Sequence, residues 1–207
     1  MHYKVGYPPG EGSFFSLPAK STNPLHHPKD ETIHKPINVQ QMLHKKLRWI
    51  TLGGQYDWTN KVYPAGKPPD FPADIANFLR FLFRDMMRPE AAILNFYSPG
   101  DTLSLHRDVA EECNRGLISL SLGCDGIFIL GLEDRETNEL KMSALRLQSG
   151  DAVFMDGPSR YAWHGVPQIV AGTCPEWLRD WPGKDYPEWK GWMDGKRINL
   201  NVRQMWD

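Results

Sequence analysis

Two histidines and one aspartate have the residue types and spacing of a metal site. His106 and Asp108 form an H-x-D pair in "LSLHRDV", and His164 follows in "YAWHGV". Residues two apart on a strand face the same side, so a strand through this pair would place both side chains together. Two histidines and one carboxylate form the facial triad of non-haem Fe(II) oxygenases, which leaves coordination positions open. Taken singly, a hydrogen-bonded surface pair and a structural histidine are the commoner explanations of such residues.

A second stretch, "RINLNVR", alternates polar and apolar residues from Arg197 to Arg203. This pattern predicts a strand whose polar face is turned either to water or to a pocket. Two guanidinium groups in a pocket require an anion, because burying an unpaired charge is costly. Arginine suits bidentate carboxylate binding. Fe(II) oxygenases with this triad commonly use the dicarboxylate 2-oxoglutarate, so the pocket alternative predicts a 2-oxoglutarate site.

The order of these motifs resembles the AlkB-type Fe(II)/2-oxoglutarate dioxygenases. The family signature is H-x-D … H … R-x-N-x-x-x-R, and "NFYSPGDTLSLHRD" also matches its stretch N-x-Y-x-x-G-x-x-L-x-x-H-x-D. The resemblance covers residues 48–207 and is most like the AlkB homologue 1 branch in "LRWITLG", "GPSRYAWHGVPQI" and "RINLNVRQMW". By this resemblance, Fe(II) is held by His106, Asp108 and His164, and 2-oxoglutarate by Asn95, Tyr97, Leu103, Arg197, Asn199 and Arg203.

The same resemblance implies a fold and a set of cofactors. The expected fold is mainly β with flanking helices, around a double-stranded β-helix (jelly roll) core. The expected cofactors are Fe(II), 2-oxoglutarate as cosubstrate and O2. Mn(II) or Ni(II) is expected to replace the iron in crystals, because such a site selects its metal by availability as well as by ligand type.

The implied activity is oxidative demethylation of N-methylated bases in DNA or RNA, including tRNA. Extruding a base costs least in single-stranded, bulged or bubble regions, so we expect those substrates to be favoured. Trp49 and Tyr56 fall where the family's lid aromatics stand and are expected to stack on the base, although core packing explains them nearly as well. The further candidates for substrate or phosphate contacts are Arg160 and a basic cluster, for which a solvated helix face is an equal alternative; this cluster is Lys45, Lys46 and Arg48.

Other activities remain open from the sequence. A histone or other protein demethylase or hydroxylase would use the same iron chemistry, with Glu111 and Glu112 as an acidic substrate lip. An abasic-site DNA lyase side activity would need a lysine, for which Lys45, Lys46 and Lys61 are candidates. A binding module without activity is disfavoured by the complete triad and both arginines. Ala110 stands where bacterial repair enzymes carry an acidic residue that helps read the damaged base, so the identity of the base is open.

Composition limits the partners and the compartment. The 207 residues carry a formal net charge of −1, so a nucleic acid must be held by a local basic patch. Three cysteines without a framework spacing indicate free thiols in a reducing compartment. The N-terminal residues do not resemble a secretory signal, and no apolar run is long enough for a membrane span. We therefore expect a monomer without a membrane partner, in the nucleus or cytoplasm or in the mitochondrion.

The elements that must position these residues follow from the hydrophobic pattern. Residues 1–47 are predicted to form an extended arm and a short helix that begins at an Asn38–Gln41 capping box. "FPADIANFLRFLFRDMM" predicts a helix whose apolar stripe lies in the core; the stripe is Ile75, Phe78, Leu79, Leu82 and Met86. After Pro89, short strands separated by turn residues predict a jelly roll within a domain of residues 48–207. Residues 171–196, rich in tryptophan, are predicted to be an insert packed over the sheet.

Overall fold

Antiparallel β-strands in two sheets form the framework of the protein. The computed structural model describes residues 3–4, 12–21, 25–57, 60, 62–64, 66–84, 86–134, 136–137 and 139–206. Within these residues the strands are β1 (Trp49–Gly53), β2 (Ala91–Tyr97), β3 (Leu103–His106), β4 (Leu117–Gly123), β5 (Gly126–Glu133), β6 (Leu140–Leu147), β7 (Ala152–Met155), β8 (Trp163–Ile169) and β9 (Arg197–Arg203). The larger sheet has the order β1-β2-β9-β4-β7 and the smaller one β3-β8-β5-β6. The predicted jelly roll is confirmed.

Strand β9 lies in the middle of the larger sheet. It pairs with β2 on one side, where Arg197 is opposite Tyr97, and with β4 on the other, where Arg197 is opposite Gly123. Gly123 has a φ of +89°, and a Cβ there would lie 2.2 Å from the carbonyl oxygen of Lys196, so this close turn requires glycine. Both faces of β9 are enclosed, because Arg197 and Arg203 are as buried as Leu200 and Val202.

Helix α2 (Ala73–Phe83) packs on the outer face of the larger sheet. Leu79 is buried there, and Ile75 packs partly against the same cluster. The prediction that its whole stripe lies in the core is wrong for Phe78, Leu82 and Met86, which are exposed. The sheet is contacted through a narrow strip around Leu79, so the rest of the apolar stripe faces outward.

The predicted arm packs against the tryptophan-rich insert. The ring of Phe15 lies 5.1 Å from that of Trp192 and 5.6 Å from that of Trp189, and the backbone N–H of Ala19 donates to Glu188. The insert is made of short helical turns, namely α3 (Glu176–Arg179) and the 3-10 turns Pro187–Trp189 and Trp192–Gly195. The hydrophobic core contains residues from both sides of position 47. The division between arm and domain at that residue stays a prediction.

The short N-terminal helix begins as predicted. The capping box of Asn38 and Gln41 is formed in α1 (Val39–Gln41), which continues as a π-helical turn (Met42–Lys46). The Nζ of Lys196 donates to the carbonyl of His44 at 2.6 Å and so ties this turn to the start of β9. In the part of the chain that the structure describes, no helix has the length and apolar character needed to span a membrane. All three cysteines are free and buried.

Candidate metal centre and cosubstrate pocket

The three predicted metal ligands come together at two paired strands of the smaller sheet, which carry the two histidines. His106, at the end of β3, lies directly opposite His164 on β8, and the ring centroids are 4.3 Å apart. Asp108 lies just beyond the end of β3 and not on it, which differs from the predicted strand. One ligand atom from each of the three residues falls within 4.8 Å of the others. This spacing allows one metal ion to contact all three.

Both histidine rings are oriented by backbone carbonyls. The Nδ1 of His106 lies 2.9 Å from the carbonyl oxygen of Ser104, and the Nδ1 of His164 lies 3.0 Å from that of Ala162. A carbonyl can only accept, so each Nδ1 carries a proton, and Nε2 is the nitrogen that presents a lone pair when the ring is neutral. The Nε2 of His164 is buried and has no hydrogen-bond partner. Burial lowers the pKa of His164, which favours the neutral ring that a metal requires.

The Asp108 carboxylate is held by a basic neighbour. Its Oδ2 accepts a hydrogen bond from Nη2 of Arg203 at 2.8 Å, while its Oδ1 lies 3.6 Å from Nε2 of His106. Burial by itself would raise the pKa of the Asp108 carboxyl, but the Arg203 guanidinium and both histidines outweigh it, so the pKa lies below its ordinary range. Asp108 is therefore a carboxylate with one oxygen directed at the histidines.

The polar face of β9 is turned into the protein and not to water. Arg197 is 1% exposed, and its Nη2 donates to the Ser121 hydroxyl at 2.8 Å. Its Nε and Nη1 are buried without a hydrogen-bond partner, as is the hydroxyl of Tyr97. A Cβ at Gly126 would lie 2.5 Å from the Nε of Arg197, so glycine leaves the room that this guanidinium occupies. Buried donors without acceptors indicate a site for an anion.

Tyr97 is placed to donate to the same anion. The guanidinium carbon of Arg197 lies 5.8 Å from the centroid of its ring. Burial raises the pKa of Tyr97 to about 12, so the hydroxyl keeps its proton at neutral pH. Arg197 and Tyr97 thus present unpaired N–H and O–H donors on two adjacent strands, which matches the donor set that a carboxylate needs.

The remaining predicted cosubstrate residues have different surroundings. Leu103 lines a narrow internal cavity together with Arg197, Asn199 and His164. Asn199 already donates to the Ser119 hydroxyl at 2.7 Å, so its amide N–H is engaged on β4. Asn95 lines the wider cavity above the triad. Sequence reasoning missed the partners Ser119 and Ser121, whose hydroxyls lie on β4 in alternation with apolar residues and carry no motif of their own.

A cavity of about 620 Å³ opens above the triad. It is lined by His106, Asp108 and Arg203, and Tyr56 contributes an aromatic ring to its wall. It shares Leu103 and Asn201 with the narrow cavity, so the two are neighbours. The volume falls in the range of small-molecule and nucleotide sites. The predicted lid residue Tyr56 therefore lies at the cavity.

Arg107 was not singled out from the sequence, although it lies between the two ligands of the H-x-D pair. It lines the 620 Å³ cavity, and its guanidinium carbon lies 4.9 Å from the ring centroid of Trp163. Trp163 in turn donates to Glu133 at 3.1 Å. This stack holds a positive charge at the cavity wall, beside the second histidine.

The other predicted substrate residues lie around an adjacent depression. Trp49 and Arg48 line a second cavity of about 420 Å³, which shares Asn95 with the wide one. Arg48 forms an ion pair with Asp101, so its charge is partly compensated. Lys45 and Lys46 are exposed on the π-helical turn. Trp49 is thus half-buried beside the site, whereas the two lysines lie on the surface.

Two residues with predicted substrate roles are interior instead. Arg160 is 2% exposed and donates to the carbonyls of Arg115 and Asp108 and to the Glu111 carboxylate. The Glu111 side chain is 1% exposed. The predicted phosphate contact of Arg160 is therefore wrong for this structure, because its donors are occupied within the protein. The acidic lip is likewise reduced to Glu112, which is exposed. Lys61 lies outside the described residues.

The donor set fits the metal and cosubstrate that the sequence predicts. Two imidazole nitrogens and one carboxylate oxygen converge, and the buried Nε2 of His164 has no protein partner. This set suits a divalent transition metal with positions left open for other ligands. The unpaired donors of Arg197 fit a carboxylate. The converging ligand atoms and the unpaired donors of Arg197 are both features of this chain's own side chains.

Comparison with known proteins agrees with this geometry. A model of the 2OG-Fe(II) oxygenase superfamily matches residues 15–203. An N6-methyladenosine RNA demethylase ALKBH of Cryphonectria parasitica is 50% identical, over 100% of this chain and 99% of that protein. The tRNA demethylase abh1 of Schizosaccharomyces pombe is 48% identical over 83% of this chain, which spans only 57% of that relative. The solved structure of OsALKBH1 aligns with a TM-score of 0.60 at 24% identity, over 75% of this chain and 77% of that one, and shares the fold. The chain therefore belongs to the 2OG-Fe(II) oxygenase superfamily, as an AlkB-type member.

Proposed function

We propose that this chain oxidatively demethylates N-methylated bases in nucleic acid. The observation that carries the proposal is the presence of two features in the protein interior. They are three converging metal ligands and the buried Arg197, whose Nε and Nη1 have no acceptor and could bind a carboxylate. His106, Asp108 and His164 would hold Fe(II). When bound, the iron, 2-oxoglutarate and O2 supply the oxidation that converts an N-methyl group into formaldehyde.

The two arginines of β9 have separate tasks in this proposal. Arg203 donates to Asp108 and so belongs to the metal end of the site. Arg197 lies six residues away at the other end of the strand, and its free Nε and Nη1 would hold the carboxylate farther from the metal. Tyr97 would donate its hydroxyl to the same carboxylate. The burial of this pocket excludes water from the anion and strengthens each of these contacts.

The cavity above the triad would receive an extruded base. Its 620 Å³ and its Tyr56 wall suit a planar ring, and Arg107 places a positive charge beside it. Two relatives carry names that specify RNA or tRNA as substrate, so we propose RNA, including tRNA, with DNA as a second candidate. Single-stranded or bulged regions would be favoured, since a stacked base costs a few kcal/mol to extrude. We also propose that the chain acts as a monomer.

The alternatives lose support from the geometry. The protein-demethylase hypothesis proposed Glu111 and Glu112 as an acidic lip, but Glu111 is buried in an ion pair and only Glu112 is exposed. The lyase hypothesis needed a lysine at the site, and of the described residues neither Lys45 nor Lys46 lines the 620 Å³ cavity.

A formaldehyde-release assay tests the proposed function. Purified protein with Fe(II), 2-oxoglutarate and ascorbate is given methylated RNA, DNA and histone-peptide substrates. We expect turnover on a methylated nucleic acid and loss of turnover in Asp108→Ala, while Asp134→Ala, which removes a carboxylate from the β5–β6 turn, keeps it. Turnover on the peptides alone would contradict the proposal. Mn(II) or Ni(II) in an aerobic crystal should occupy the three-ligand site.

A further inference from the structure

The metal carboxylate lies on a segment without regular secondary structure. Strand β3 ends at His106, and residues 107–111 continue as an irregular stretch. The pairing of β3 with β8 fixes the backbone of both histidine ligands, since His106 and His164 are opposite each other. Asp108 has no such ladder position, so its placement depends on side-chain contacts from other parts of the chain.

Arg160 supplies the first of these contacts. Its Nη1 donates to the carbonyl of Asp108 at 2.9 Å, its Nε donates to the carbonyl of Arg115 at 2.8 Å, and its Nη2 donates to Glu111 at 2.8 Å. One rigid guanidinium thus contacts the chain between β3 and β4 at three residues. A lysine could not do this, because its ammonium is a single point of donation.

Glu111 supplies the second contact through Arg203. Its Oε2 meets Arg160, and its Oε1 lies 3.3 Å from Nε of Arg203. Arg203 then donates from Nη2 to Asp108. The four charges alternate along a buried row in the order Arg160, Glu111, Arg203, Asp108. The contact between Glu111 and Arg203 is an ion pair without a hydrogen bond, so Glu111 acts on the Arg203 guanidinium through its charge.

We infer that Arg160 and Glu111 are positioning residues for the metal centre, which hold the main chain of Asp108 and orient Arg203 against its carboxylate. This inference rests on the proposed function, because it assumes that Asp108 is a metal ligand. An ordinary buried ion pair would only stabilise the fold. A positioning pair also sets metal affinity, since partners of ligands commonly change affinity roughly 10–100-fold when they are removed.

Without Glu111, Arg203 has one carboxylate left to contact. It would then bind Asp108 more closely and compete with the metal for the same oxygens. Without Arg160, the carbonyl of Asp108 loses its fixed donor, and the segment after His106 can move away from the histidines. Both changes weaken metal binding without removing a ligand.

The test measures Mn(II) binding and folding separately, with no turnover involved. Glu111→Gln, Arg160→Lys and Arg160→Met are compared with wild type by Mn(II) titration followed by electron paramagnetic resonance, and their stability is measured by circular dichroism. The matched control is Leu79→Ala, which creates a cavity under helix α2, on the outer face of the larger sheet. It lowers stability by a core defect while leaving the ligands in place.

We expect Mn(II) affinity to fall about 10-fold or more in Glu111→Gln and Arg160→Met, with Arg160→Lys intermediate. Leu79→Ala should lose stability and keep wild-type affinity. If a folded Glu111→Gln binds Mn(II) within twofold of wild type, the inference is overturned. If Arg160→Met does not fold, Arg160→Lys decides the question in the same way. Wild-type protein that fails to bind Mn(II) would overturn the proposed function itself, so the two failures are distinguishable.

Discussion

Replacing Arg197 by lysine should weaken 2-oxoglutarate binding although the charge is kept. Arg197 has three donating nitrogens in the interior: Nη2 is bound to Ser121, and Nε and Nη1 are unpaired. A lysine ammonium cannot satisfy Ser121 and both oxygens of a carboxylate from one atom in the same plane. At least one charge-assisted hydrogen bond is lost.

The magnitude follows from that single bond. A hydrogen bond to a charged group contributes about 1.5–3 kcal/mol, so its loss should raise the Kd for 2-oxoglutarate roughly 10- to 150-fold. The assay is calorimetric titration of Mn(II)-loaded protein with 2-oxoglutarate in the absence of oxygen. The metal ligand Asp108 is contacted by Arg203 and not by Arg197. The Mn(II) affinity of Arg197→Lys should therefore stay near the wild-type value.

The control is the same substitution at Arg179, which lies on the insert and is paired with Asp194 at 3.5 Å. Arg179→Lys should leave the Kd unchanged. Equal affinities for wild type and Arg197→Lys would show that the guanidinium does not contact the cosubstrate, and would remove Arg197 from the proposed pocket. A loss of Mn(II) affinity in Arg197→Lys would instead show that the two ends of β9 are not separate.

Three further predictions concern other parts of the site. Tyr97→Phe should raise the Kd for 2-oxoglutarate by roughly tenfold, for the loss of one hydrogen bond to a charged group, equally at pH 6 and pH 9 because the hydroxyl stays protonated; a wild-type Kd would count against the contact. Trp49→Ala should weaken binding of single-stranded RNA about 5- to 150-fold, for roughly 1–3 kcal/mol of stacking, as measured by fluorescence anisotropy. Trp177→Ala changes an exposed residue of the insert and should leave RNA binding unchanged. Equal losses of RNA affinity in both variants would contradict a stacking role for Trp49. Burial lowers the pKa of His164, so its stabilising contribution is present above pH about 6.5 and is lost as pH falls through the lower folded-state pKa. Metal-free protein should therefore be less stable to urea at pH 5 than at pH 7, and this loss of stability should be smaller in His164→Asn. An equal loss in the variant and the wild type would show that His164 is not the group responsible.

The fold could be predicted from the sequence wherever alternation and turn residues coincide. "AAILNFY" became β2 and "RINLNVR" became β9 without a change of boundary, because Gly, Ser and Asp residues end the neighbouring segments. The helix α2 was also predicted, but the burial of its stripe was not. Periodicity shows which residues share a face, whereas exposure of Phe78 and Leu82 depends on how wide the covering sheet surface is.

The site was predictable where a motif names the residue type that the chemistry needs. His106, Asp108, His164 and Arg197 come from such motifs, and the structure brings the first three together. Arg160 was misassigned because a charged residue beside a ligand can face either the substrate or the protein. Its direction is decided by the irregular segment 107–111, which has no periodicity from which a facing side could be inferred.

The charges of the site predict how the metal and 2-oxoglutarate affect each other's binding. The charges of Arg160, Glu111, Arg203 and Asp108 cancel in pairs, whereas Arg197 contacts no carboxylate among the described residues. A divalent metal and a dicarboxylate cancel each other in the same way. With Arg197 counted, the metal alone would leave the buried site with an excess of three positive charges, which is costly in a region of low dielectric, whereas the metal and 2-oxoglutarate together add no net charge. Metal and 2-oxoglutarate should therefore favour each other's binding, with a coupling that is equal in both directions. Strand β9 connects the two binding sites that this coupling links, because it carries Arg203 at the metal and Arg197 at the proposed 2-oxoglutarate pocket.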